Sequence, residues 1–136
     1  MKKEEFIQCC KENGLELTDH QIHQYETYAE LLKEWNEKMN LTAITELEEV
    51  YDKHFYDCIL PAFHLQFKDE SLCDVGAGAG FPSIPMKIVF PEMKITILEP
   101  LQKRCIFLQE LVNQLELTNV TIENVRAEEY GKVHRA

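Results

Sequence analysis

Hydrophobic residues recur at helical spacing in the first part of the chain. Phe6, Ile7 and Cys10 share one face of a short helix that ends near Asn13 and Gly14. A longer helix is predicted to run to about Lys38, with an acidic and solvated opposite face. Its apolar positions recur at steps of three or four: Ile22, Tyr25, Ala29, Leu32 and Trp35.

Two capping boxes mark helix starts. Thr18 with Gln21 precedes the long helix, and Thr45 with Glu48 precedes a further helix. We expect that further helix to carry Val50, His54 and Phe55, with Pro61 either kinking it or starting a new turn. His54 has two interpretations, a ligand-facing side chain or a partly buried packing histidine, and we favour packing.

The second half alternates short apolar runs with helical patterns. Ser71–Val75, Lys94–Leu98 and Asn119–Asn124 are predicted strands, and Phe81–Phe90 and Lys103–Glu116 are predicted helices. A β-α-β-α-β order with right-handed crossovers is typical of a parallel sheet. The near-continuous apolar character of the first strand favours a sheet covered on both faces. We therefore predict an α/β fold, with residues 1–70 as an N-terminal helical segment and 71–136 beginning a Rossmann-like region.

A glycine-rich turn links the first strand to the next helix. Asp74 precedes glycines at alternate positions 76, 78 and 80. The third glycine comes one residue too early for the Gly-x-Gly-x-x-Gly fingerprint of NAD enzymes, and no Gly-Lys-Ser/Thr follows to form a phosphate loop. The pattern acid-x-Gly-x-Gly-x-Gly instead resembles motif I of the S-adenosylmethionine-dependent methyltransferases. This resemblance implies a cofactor site built on Asp74, Gly76, Ala77 and Gly78. A plain structural turn is the alternative.

Two acids after later strands extend the predicted site. Glu99 ends the second strand and is placed to accept hydrogen bonds from a cofactor ribose. Without that role it would be a solvated loop residue. Ala127 and Glu128 follow the third strand, where a polar group is positioned to reach an adenine ring. The alternative for Glu128 is a surface acid at a helix start.

Charge and cysteine content narrow the function classes. The net charge is −10, of which residues 1–70 carry −9. This acidity argues against avid nucleic-acid binding by the N-terminal half, because phosphate contacts need Lys and Arg. The chain has five cysteines and no Cys-x-x-Cys pair, so we expect free thiols in a reducing cytoplasm and no metal site. No transmembrane run or signal peptide is predicted.

Five stretches together resemble the bacterial 16S ribosomal RNA guanine-N7 methyltransferases, also called the glucose-inhibited division protein B family. They occur in the order and at the spacing of that family and cover nearly the whole chain: Trp35-Asn36 with Asn40-Leu41-Thr42-Ala43-Ile44-Thr45, Lys53-His54-Phe55-Tyr56-Asp57, Asp74 to Pro82, Lys103-Arg104 with Phe107-Leu108, and Arg126-Ala127-Glu128.

The resemblance implies methyl transfer from S-adenosylmethionine to a guanine N7 of 16S ribosomal RNA in the small ribosomal subunit. It also implies cofactor contacts by Gly76, Phe81, Ala127 and Glu128, and no catalytic residue is assigned. Pro100 departs from the Ser that the family often has after its strand-end acid.

Family members continue past the third strand and supply a further cofactor-contacting Arg. We therefore expect the chain to be an incomplete form, inactive on ribosomal RNA by itself. The alternative function is a non-catalytic cofactor-binding or protein-interaction module.

Overall fold

The computed structural model describes residues 1–39, 49–63 and 71–126 of the chain. These residues form an α/β fold with five helices and one three-stranded sheet. The predicted capping box at Thr45 and Glu48 lies outside the described residues, as do Ala127 and Glu128.

Three helices precede the sheet. Helix α1 spans Lys3–Glu12 and helix α2 spans Asp19–Met39, close to the predicted bounds. Helix α3 is composite, with a π-helical part Val50–Tyr56, one α-turn Asp57–Ile59 and a 3-10 turn Leu60–Phe63. Pro61 thus lies in the 3-10 turn, which agrees with the prediction that it starts a new turn.

The capping box before α2 is confirmed. The backbone N–H of Gln21 donates to the hydroxyl of Thr18 at 3.1 Å, and the N–H of Thr18 donates to the side-chain oxygen of Gln21 at 2.9 Å. The same Gln21 amide also donates to the Ile88 carbonyl oxygen at 2.9 Å. This side chain therefore joins the start of α2 to the helix that follows the glycine turn.

The sheet is parallel, as predicted. Strand β1 is Ser71–Val75, β2 is Lys94–Leu98 and β3 is Val120–Glu123, in the order β1-β2-β3. Ser71 pairs with Lys94 and Val75 pairs with Leu98, so β1 and β2 end together. Leu98 in turn pairs with Glu123. The carboxyl ends of all three strands therefore meet at one edge, where open α/β sheets bind ligands.

Two helices connect the strands. Helix α4 is Ser83–Val89 and helix α5 is Gln102–Gln114. Pro82 stands just before α4 and Pro85 lies in its first turn, where its missing N–H costs no intrahelical bond. The buried Lys87 donates its ammonium to the Pro91 and Met93 carbonyl oxygens beyond the helix end.

Helix α2 joins the N-terminal helices to the sheet region. It packs against both α4 and α5, and Trp35 meets Phe107 of α5 with ring centroids 5.8 Å apart. On its other side, Tyr25 lies edge-on to Phe6 of α1 at 5.1 Å. One continuous hydrophobic core thus includes residues from both sides of position 70. The predicted domain division at that position stays a prediction.

Strand β1 differs from the expectation of cover on both faces. In the described part of the chain it is an edge strand, and Ser71, Cys73 and Val75 on one face are exposed, Val75 by 59%. Asp74 on the other face is buried. The expectation was wrong for these residues because no described element buries this face of β1.

All five cysteines are unpaired thiols. No helix within the described residues is long and apolar enough to cross a membrane.

Candidate functional site

The glycine turn leaves the carboxyl end of β1 and is fixed by backbone hydrogen bonds. The N–H of Gly76 donates to the Leu98 carbonyl oxygen of β2 at 2.8 Å, and the N–H of Gly80 closes the turn on the Ala77 carbonyl oxygen at 2.9 Å. Gly76, Gly78 and Gly80 have φ values of 70°, 58° and 97°. Other residues rarely adopt these angles, so the backbone itself requires the glycines.

The three glycines face different surroundings. Among the described residues, a Cβ atom on Gly76 would meet no heavy atom within 4 Å, and one on Gly78 would meet only the Arg104 guanidinium, at 3.9 Å. A Cβ on Gly80 would instead lie 2.6 Å from the Tyr28 hydroxyl. The first two glycines therefore leave room for a ligand to approach the main chain, whereas the third makes room for helix α2.

Glu99 lies beside the turn at the end of β2. One oxygen of its carboxylate accepts a hydrogen bond from the Gly78 N–H at 3.1 Å, and the other accepts from the Leu101 N–H at 2.9 Å. The residue is only 1% exposed. Glu99 is therefore not a solvated loop acid, since it connects the glycine turn to the start of α5. Its predicted ribose contact stays a prediction.

Asp74 links the end of β1 to the start of α4. Its carboxylate accepts a hydrogen bond from the Ser83 N–H at 3.2 Å, at the start of α4. Burial raises the pKa of Asp74, hydrogen bonding from Ser83 opposes that rise, and the nearby Glu99 charge adds to it. Asp74 thus holds the end of β1 to α4, and its predicted contact with a cofactor is not tested by this geometry.

Phe81 and His54 form a stacked pair. Their ring centroids are 4.2 Å apart with planes inclined by 16°, and Phe81 also stacks near Tyr28 at 5.7 Å. Burial lowers the pKa of His54, while the Asp57 carboxylate acts in the opposite direction. His54 is half-buried, which agrees with the packing interpretation, and it lies directly beside a predicted cofactor contact.

The structure brings most of the predicted site residues to one place. Asp74, Gly76, Gly78, Phe81 and Glu99 all lie at or beside the glycine turn, and Ala77 within it is buried. Sequence reasoning missed Tyr28, whose hydroxyl donates to the Ala79 carbonyl oxygen at 2.7 Å. Its helical spacing from Tyr25 and Leu32 could have placed it on the buried face.

This arrangement suits an organic ligand bound along the main chain. The open sides of Gly76 and Gly78 supply a surface without side chains, and a carboxylate stands at the adjacent strand end. In the described part of the chain, no group of three or more His, Cys, Asp or Glu residues is placed to hold a metal ion. The open part of the turn therefore lies at the edge where open α/β sheets bind ligands.

Comparison with known proteins separates the fold from the many others that use a glycine turn. The sequence profile of the family described as rRNA small subunit methyltransferase G matches residues 21–135. The chain belongs to this family. That membership agrees with the resemblance drawn from the five stretches.

Relatives in the rRNA small subunit methyltransferase G family are similar over nearly the whole chain. The proteins named ribosomal RNA small subunit methyltransferase G from Oceanobacillus iheyensis and Exiguobacterium sibiricum are each 56% identical over 133 residues, and the one from Lysinibacillus sphaericus is 53% identical. These matches cover 97% of the chain but 56% of each relative. The chain therefore spans about half the length of the relatives that it matches.

Proposed function

We propose that the chain forms the first half of the cofactor-binding region of an S-adenosylmethionine-dependent methyltransferase. Its substrate would be the N7 atom of a guanine in 16S ribosomal RNA, within the small ribosomal subunit in the cytoplasm. The family and the names of the relatives support this proposal. The observation that carries it is the open main-chain surface at Gly76 and Gly78, directly beside the Glu99 carboxylate.

The cofactor would follow the edge of the sheet. The turn of Gly76, Ala77 and Gly78 would face its amino-acid part, and Glu99 would accept hydrogen bonds from its ribose. Each carboxylate oxygen of Glu99 carries a second lone pair beyond the one already used, so a further acceptor position exists on each. Phe81 would contact the cofactor, and Ala127 with Glu128 would contact the adenine.

The chemistry needs binding and orientation more than proton transfer. When bound, S-adenosylmethionine supplies a methyl group on a positively charged sulfur. Guanine N7 has an in-plane lone pair, so no proton must be removed before it attacks that methyl group. Holding the two reactants in line is itself a large rate effect. The residues of this chain would act by positioning the cofactor, and no general base is assigned among them.

The N-terminal helices would support the site rather than contact RNA. Glu30, Glu34 and Glu37 are exposed on α2, and acidic side chains repel the phosphate backbone. We assign residues 1–70 to this supporting helical segment and 71–136 to the cofactor-binding region.

Cofactor binding is the first test. Calorimetric titration of S-adenosylhomocysteine into the chain should show a single site. Gly78→Val should abolish binding because its side chain would occupy the open side of the turn. Glu99→Ala should weaken binding, and unchanged affinity in that variant would refute the ribose assignment.

Methyl transfer is the second test. A chimera in which residues 1–136 replace the matching part of the Exiguobacterium sibiricum relative should transfer labelled methyl groups to small subunits from a strain lacking the enzyme. We expect the 136-residue chain alone to transfer none. A chimera that binds cofactor but transfers nothing, beside an active parent relative, would favour the alternative of a non-catalytic cofactor-binding module.

A further inference from the structure

The Ala79 carbonyl group lies between the open and the packed glycines of the turn. Its oxygen accepts a hydrogen bond from the Tyr28 hydroxyl of α2 at 2.7 Å. Ala79 is buried and Tyr28 is fully buried. A buried carbonyl without a donor costs the free energy of its lost hydration, so this bond matters to the conformation of the turn.

The same hydroxyl group occupies the space that a side chain on Gly80 would need. A Cβ at this position would lie 2.6 Å from the Tyr28 oxygen and 3.1 Å from Ile84. A side chain at this position would force the Tyr28 hydroxyl or the turn to shift. The missing side chain of Gly80 therefore makes room for Tyr28, whereas the missing side chains of Gly76 and Gly78 leave one side of the turn open.

Tyr28 and Glu99 hold two peptide groups of the turn that are separated by one further peptide group. Glu99 accepts a hydrogen bond from the Gly78 N–H, and Tyr28 donates to the Ala79 carbonyl oxygen. One partner comes from the end of β2 and the other from the N-terminal helices. Burial also holds the pKa of Tyr28 well above its usual range, which keeps its hydroxyl protonated as a donor.

We propose that Tyr28 is a positioning residue that fixes the glycine turn in its cofactor-binding conformation. This inference rests on the proposed function, because it assigns α2 a part in cofactor affinity. Tyr28 acts through the Ala79 carbonyl group, and its hydroxyl lies where a Cβ atom on Gly80 would clash.

Helix α2 offers a matched control. Tyr25 is also almost fully buried, and its hydroxyl donates to the Pro85 carbonyl oxygen at 2.8 Å. Tyr25→Phe and Tyr28→Phe therefore each remove one buried hydroxyl and its hydrogen bond to a backbone carbonyl oxygen. Only Tyr28→Phe changes a bond to the glycine turn.

The experiment measures amide hydrogen exchange and S-adenosylhomocysteine affinity on the 136-residue chain for the wild type and both variants. Tyr28→Phe should speed exchange at the Gly78 and Gly80 amides about tenfold and weaken affinity about tenfold, the ratio that one ordinary hydrogen bond represents. Tyr25→Phe should change the exchange rates of the Gly78 and Gly80 amides, and the affinity for S-adenosylhomocysteine, less than about twofold. It should nevertheless lower the global stability of the chain about as much as Tyr28→Phe does.

The outcomes separate this inference from the proposed function. Equal changes in the two variants, or turn amides unaltered by Tyr28→Phe, would overturn the role of Tyr28. A wild-type chain that binds no cofactor would count against the proposed function and against the affinity part of the inference. The exchange rates at Gly78 and Gly80 would still decide whether Tyr28 fixes the turn.

Discussion

The Glu99 carboxylate accepts a hydrogen bond from the Gly78 N–H at 3.1 Å, which ties the end of β2 to the glycine turn after β1. Its second oxygen accepts from the Leu101 N–H, so the same side chain also fixes the approach to α5. A single buried acid thus determines the relative positions of three segments at the sheet edge. Glu99 makes both of these hydrogen bonds within the protein itself.

Glu99→Gln should therefore destabilise the fold. The amide keeps one acceptor oxygen, so one of the two N–H groups loses its acceptor and faces an NH2 group. We expect the free energy of unfolding to fall by about 1.5–3 kcal/mol, the range for hydrogen bonds to charged groups. Urea denaturation would measure the change.

The control for this prediction is Glu123→Gln. Glu123 ends the neighbouring strand β3 and is half-buried, and the substitution removes the same charge. It should change the free energy of unfolding by less than about 0.5 kcal/mol. Equal losses in the two variants would show that charge, and not the two hydrogen bonds, explains the effect.

Alanine substitutions should distinguish the open glycine from the packed one. The new Cβ atom of Gly76→Ala meets no neighbour in the described part of the chain, so its cost should be that of the left-handed backbone angle, about 1–2 kcal/mol. Gly80→Ala adds the clash with Tyr28, so it should cost about 2–5 kcal/mol in total. Thermal and urea unfolding would rank the two variants. A Gly76→Ala variant as unstable as Gly80→Ala would contradict the assignment of Gly80 to packing.

The local elements were predictable because short-range patterns determine them. The strands Ser71–Val75 and Lys94–Leu98 match their predicted bounds, and the Thr18–Gln21 capping box forms both of its hydrogen bonds. Apolar runs and cap residues carry this information in adjacent positions. The edge to which the strands bring Asp74 and Glu99 was also predictable, since it follows from parallel order.

The long-range polar contacts were not predictable. Tyr28 stands 51 residues from its acceptor Ala79, and nothing in either local pattern specifies the pairing. The burial of Lys87 likewise has no signal in the local pattern, since a helix packed on the sheet region places its ammonium on backbone carbonyl groups. Such contacts depend on how whole helices dock. The exposed face of β1 has the same origin, because cover depends on elements far along the chain.

Gln21 should matter to stability for two separate reasons. Its side-chain oxygen completes the capping box, and its amide nitrogen donates to the Ile88 carbonyl oxygen. Gln21→Glu keeps an acceptor for the Thr18 N–H but removes the donor to Ile88. We expect it to lower the free energy of unfolding by about 1–3 kcal/mol, because a carboxylate would face a carbonyl oxygen.

Thr18→Ala is the companion variant for Gln21. It removes only the capping hydroxyl, which should cost about 1 kcal/mol. Urea denaturation of both variants would compare the two contributions. If Gln21→Glu were as stable as the wild type, the bond to Ile88 would contribute nothing to docking α2 on α4.

His54 should make the stability of the chain fall in mildly acidic solution. Burial against Phe81 lowers its pKa below the usual 6.5 in the folded state, so protonation favours the unfolded chain. The contribution of His54 to stability is present above that usual value and is lost as the pH falls through the folded-state pKa. His54→Phe keeps a ring on Phe81 and cannot be protonated, so its stability should depend less on pH.

His23, exposed on α2, provides the control variant His23→Gln, which should follow the wild-type profile. The measurement is urea denaturation at steps between about pH 5 and 8, the range in which histidine titrates.

Asp74 has a raised pKa and therefore acts in the opposite direction, favouring the folded state as the pH falls. A His54→Phe profile identical to that of the wild type would show that the stacked histidine is not the group that responds.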